Sequence, residues 1–100
     1  MHEANVLGIG RIKLFAVKTN TTDWFAFYFA EHSLDVFRLH GEKFREYDVK
    51  IVNADRLMWE VMASADTGKE EFLFERKGRV VEFPAYVGHA RAGEMVLFHV

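Results

Sequence analysis

The run Tyr86-Val87-Gly88-His89-Ala90-Arg91 sets a phenol, an imidazole and a guanidinium among small residues. An imidazole titrates near neutral pH and can move a proton, and a guanidinium can grip a carboxylate or phosphate through two parallel hydrogen bonds. His89 as acid or base, with Arg91 orienting an anionic substrate, is therefore one chemistry these residues offer, and His40 is a second candidate for the proton-transfer role. The competing expectation is a solvated connection, since the stretch from Ala85 to Gly93 shows no sustained period. Glu31-His32 with Asp35 forms another carboxylate-imidazole grouping, of a kind that turns also produce by chance.

Metal chemistry finds less support. His2, His32, His40, His89 and His99 do not form a His-x-x-x-His pair on a helix, and the chain has no Cys. A thiolate site, a Cys nucleophile and a disulfide framework are thereby excluded, and no metal or other cofactor is expected. Gly8-Ile9-Gly10 lacks the third Gly of a dinucleotide fingerprint and leads into a strand, so a bulge or entry turn is expected there.

Aromatic residues offer binding rather than bond-making. Trp24 and Tyr28, with Phe25, Phe27 and Phe29 on the alternate face, could line an apolar cavity or fill a core. Trp59 beside Arg56 has the composition of an interface anchor, or of an indole folded over a sheet edge. The formal charge of −2, and Asp23 and Glu31 at the two ends of the aromatic row, argue against nucleic acid as a partner.

These side chains need a scaffold, and half the residues are hydrophobic, enough to fold a domain. One domain over 1–100 is expected, because either half alone would bury too small a core. Arg11 to Lys18 reads as a strand closed by Thr19-Asn20-Thr21-Thr22-Asp23, and Trp24 to Ala30 as a strand apolar on both faces. Leu34 to Leu39 reads as a third strand closed by His40-Gly41-Glu42, and Phe44 to Val52 as a fourth with one wet face, as in an antiparallel sheet.

Ala54, Leu57, Met58, Val61, Met62 and Ala65 share one helical stripe, which predicts a helix over about 54–66, with a strand carrying Leu57, Trp59, Val61 and Ala63 as the alternative. Lys77-Gly78 between Glu71–Arg76 and Arg79–Phe83 predicts a hairpin, and Met95 to Val100 a last strand. The expected class is α+β, a predominantly antiparallel, curled sheet of about seven strands with one helix in the order ββββαβββ. A small all-β barrel is the alternative.

One helix cannot cover two apolar sheet faces. The surplus predicts barrel closure, cover by the 84–93 segment, or a second copy of the chain. From it follows the functional expectation: a non-enzymatic interaction or ligand-binding domain, homodimeric, taking a small apolar ligand or a protein partner, with Trp24, Tyr28, Trp59, Tyr86, His89 and Arg91 as binding residues. The alternatives are a small cofactor-independent enzyme using His89 or His40 with Arg91, and an inhibitor or immunity-type protein. No signal-peptide pattern is apparent, and the apolar run Trp24 to Ala30 is far shorter than the ~20 residues of a membrane helix, so a cytoplasmic location without membrane contact is expected.

Overall fold

A computed structural model of the chain describes residues 11–19, 23–57, 62–65, 70–80, 82–91 and 96–98. Strand β1 (Lys13–Thr19) and strand β2 (Trp24–Ala30) pair antiparallel with Phe15 opposite Tyr28. Alternation sends Leu14, Ala16, Phe27 and Phe29 to one face and Phe15, Val17, Tyr28 and Ala30 to the other, and all eight are buried. Such strands need cover on both faces.

The cover comes from two helices. Helix α1 (Ser33–Phe44) lies where a third strand was expected, and Val36 at its inner face is fully buried against Phe15, Val17 and Tyr28. The sequence conceals its helical period because the other inward positions, His40 and Gly41, are polar or small. Gly41 has a packing reason: a Cβ there would meet the Tyr47 ring at 2.5 Å. The helix ends at Arg45, whose φ of 57° is left-handed and whose N–H donates to the Gly41 carbonyl at 2.9 Å.

Strand β3 (Val49–Asn53), shorter than the Phe44 to Val52 strand expected, pairs antiparallel with β1. Lys50 stands directly opposite Lys18, both exposed, and like charges in cross-strand register repel. Lys50→Glu is expected to stabilise the fold by about 0.5 kcal/mol in urea denaturation, an effect that salt diminishes.

The helix expected over 54–66 gives way to a strand at Met62–Ala65, and residues 58–61 and 66 lie outside the described residues. Asn53 Oδ1 accepts the Asp55 N–H at 2.9 Å and Leu57 N–H donates to the Ala54 carbonyl at 2.9 Å, a turn in which Asp55 Oδ1 also accepts the Leu14 N–H at 2.7 Å. The chain is again extended in β4 (Met62–Ala65), which lies between β5 (Glu70–Phe72) and β7 (Val96–Phe98). Backbone pairing on both sides outcompetes the helical stripe there. Trp59 lies outside the described residues.

The hairpin expected at Lys77-Gly78 is helix α2 (Leu73–Arg79). Leu73 and Lys77, four apart, are both buried, and Leu73 joins the core formed by Leu14, Phe27, Phe29, Val87 and Val96. Glu71, buried just before the helix, pairs with Arg79 at 2.5 Å and lies 3.8 Å from Arg76. The segment after the cis Phe83–Pro84 bond, expected as a loop, is strand β6 (Ala85–Arg91).

The sheet order is β3-β1-β2-β6-β7-β4-β5, antiparallel except for the parallel β4–β7 pair. The class is α+β with an antiparallel sheet, as expected, but among the described residues the order is ββαβββαββ and not ββββαβββ. With β3 and β5 at its edges, the sheet is open and not a barrel. Among the described residues, α1 covers the face of Phe15, Val17 and Tyr28, and Leu73 at the start of α2 joins the core on the other face.

Candidate functional site

The face under α1 carries the chemistry. The alternation of β2 delivers Trp24, Ala26 and Tyr28 to it, and β6 adds Tyr86 and His89. Residues three apart in a regular strand point to opposite faces; here a register shift sets Phe27 opposite Gly88 but Tyr28 opposite Tyr86, leaving Val87 as an extra residue. The bulge lets Val87 enter the opposite core while Tyr86 and His89 share a face, with Tyr86 Oη 2.9 Å from His89 Nδ1.

Helix α1 covers this face over Tyr28 but leaves the Trp24 end of the sheet open. A cleft of about 290 Å³ remains, walled by Trp24, Phe44, Tyr86 and Val17, with His40, Glu46, His89 and Thr19 as its polar members. Its rings interlock: Tyr28 with Tyr86 at 5.4 Å between centroids, Phe44 with Tyr86 at 5.6 Å, and Trp24 edge-on to His89 at 5.0 Å. Two cations lie over these walls, Lys43 Nζ at 4.8 Å from the Tyr86 centroid and Arg91 Cζ at 4.8 Å from that of Trp24.

Beneath the cleft runs a buried relay. Tyr28 Oη lies 2.5 Å from His40 Nδ1, and His40 Nε2 lies 3.0 Å from Glu46 Oε1. Tyr28 is fully buried, and burial, followed by the nearby Tyr86 and Glu46, pushes its phenol well above the usual tyrosine range. Glu46 can only accept, which places a ring proton of His40 on Nε2, and in that tautomer the bare Nδ1 accepts from the Tyr28 hydroxyl. Every member is satisfied in one direction: Tyr28 to His40 to Glu46. His40, with both nitrogens engaged, has no nitrogen left for a substrate.

The Tyr86–His89 bond takes its direction from the His89 tautomer: with the ring proton on Nε2 the phenol donates to Nδ1, and with it on Nδ1 the imidazole donates to the phenol oxygen. Burial raises the Tyr86 phenol above the usual tyrosine range. His89 Nε2 makes no hydrogen bond among the described residues, and the ring is half-buried in the cleft wall.

Both phenols hold their protons more tightly in the folded chain than in the unfolded one. Their contribution is therefore fully present below the ordinary tyrosine value of ~10 and is lost as pH rises past it. Stability measured by urea denaturation across that range is expected to fall, and Tyr28→Phe to fall less steeply than the parent. Lys77, whose ammonium burial pulls down against the opposing pull of Asp55, adds an opposite slope that cancels in this comparison.

Of the residues singled out from sequence, Trp24, Tyr86 and His89 line the cleft, His40 closes its base, Tyr28 lies beneath it, and Arg91 stacks on Trp24. Phe25, Phe27 and Phe29 face the opposite core, and Phe25 also borders the cleft. Glu31 and His32 meet at 4.0 Å on an exposed turn, away from the cleft. His2, His99 and Gly8-Ile9-Gly10 lie outside the described residues. Among the described residues, no three His, Asp or Glu side chains converge as metal ligands. Sequence reasoning missed Phe44 and Glu46, because nothing local marks a carboxylate six residues beyond a helical His as its partner. No protein-family model, curated protein or solved structure matches the chain.

Proposed function

We propose that the chain is a non-enzymatic binding domain for a small, planar, largely apolar molecule seated between Trp24, Phe44 and Tyr86. The observation that carries this reading is the aromatic cleft with few polar groups to spare: His40 and Glu46 bind each other, and His89 leaves only its Nε2 to the cleft. Binding sites are mostly apolar with a few placed polar groups, and this cleft has that composition. Its volume of about 290 Å³ suits one or two fused rings, since an apolar cavity of ~150 Å³ already holds benzene. One chain suffices for the site.

Titration with 2-naphthamide, followed by NMR, tests the reading. Saturable one-to-one binding is expected, with shifts centred on Trp24, Phe44 and His89, and Trp24→Ala should weaken it by about 1–2 kcal/mol, or roughly tenfold. Absence of saturation, or shifts away from the cleft, would refute it.

An acid-base enzyme is the second reading, favoured by His89 and Arg91 both meeting Trp24. It requires the Tyr86–His89 bond to run with Nδ1–H donating to the phenol oxygen and Nε2 bare as a base. The nitrogen-15 shifts of the His89 ring distinguish the two tautomers.

A further inference from the structure

We infer that the ligand is a planar aromatic anion, its ring in the cleft and its negative charge turned toward Lys43 and Arg91. The inference rests on the cleft being a binding site and adds the charge of what it binds.

Three of the cleft's aromatic walls carry a cation of the chain itself. Lys43 Nζ stands 4.8 Å from the Tyr86 centroid and 5.9 Å from that of Phe44, and Arg91 Cζ stands 4.8 Å from that of Trp24. Lys43 forms no ion pair among the described residues. Among the described residues Arg91 pairs with Asp23 alone, at 3.6 Å, and both of those side chains are largely exposed, so the pair yields readily to another anion. In its Nε2–H tautomer His89 adds an N–H donor to the same cleft, and a carboxylate accepts from such a donor more strongly than an uncharged acceptor does.

Two carboxylates oppose an anion. Glu46 lines the cleft, with one of its oxygens held by His40 Nε2–H at 3.0 Å, and Asp23 stands beside Arg91 but is largely exposed to water. A cationic ligand would gain from Glu46 and from the ring faces, but it would enter a cleft whose walls already bear two cations. Two cations over the ring walls, against one carboxylate engaged by His40 and one screened by water, favour the anion.

Three probes of one shape separate the possibilities: 2-naphthoate, its neutral isostere 2-naphthamide, and 2-naphthylmethylammonium. At low salt, 2-naphthoate is expected to bind roughly tenfold more tightly than the amide, and 0.5 M salt to erase most of that margin. Lys43→Gln with Arg91→Gln should remove the margin between naphthoate and the amide. Both side chains are surface-exposed, so the double variant folds, and Glu46→Gln should strengthen naphthoate alone. Equal affinity for naphthoate and the amide, or tightest binding by the ammonium, overturns the anion and leaves the cleft standing as a binding site. Binding by none of the three removes both.

Discussion

Phe29→Ala is expected to cost about 3–5 kcal/mol, a large part of the 5–15 kcal/mol that stabilises a typical domain. Phe29 has no exposed surface and sits in β2, between β1 and β6, where it packs with Leu14, Leu73 and Val87. Truncation leaves a cavity that sheet neighbours on both sides keep from collapsing. Phe25, on the same face but half-buried, should lose only about 1–2 kcal/mol on the same change. Urea denaturation of both variants checks the gradient. Equal losses would mean that the row is not buried progressively from Phe25 to Phe29.

His40→Leu is the second large effect, at about 2–4 kcal/mol. Tyr28 Oη has His40 Nδ1 as its hydrogen-bond partner and no exposure to water, so removing the imidazole strands a buried hydroxyl. Tyr28→Phe alone is milder, about 1–2 kcal/mol, because His40 keeps Glu46. In the double variant both ends of the buried bond become apolar, and the two losses should fall short of additive by about 1 kcal/mol or more. Strict additivity would remove the relay from the account of stability. Glu46→Gln, at the partly exposed end, should cost less than either.

The parts of the fold legible in sequence are those where residue type and burial agree. β1 and β2 show this, because Leu14, Phe15, Val17 and the aromatic row favour strands and fill two cores. α1 was hidden because the positions that face the sheet are His40 and Gly41, and the left-handed residue at its end is Arg45 where a Gly is usual. β6 was read as a loop because its bulge breaks the two-residue period at Val87. The stripe through 54–66 is real in sequence, yet β4 pairs instead, since strand neighbours far along the chain decide the contest. The site divides the same way: Trp24, Tyr86, His89 and Arg91 announce themselves by type, whereas Glu46 matters only through the turn at Arg45 that brings it to His40.

The place of β6 in the middle of the sheet also sets an order in time. As the chain emerges from the ribosome, the β1–β2 hairpin can close early, but about fifty residues must follow Ala30 before Ala85 appears to pair with Phe29. At ~5–20 residues per second, β2 spends several seconds as a bare edge with its aromatic side chains unshielded, an invitation to pair with another nascent chain. Slow translation or a ribosome stall before Ala85 should therefore favour aggregation over yield, and a chaperone that shelters exposed strand edges should matter most in that interval.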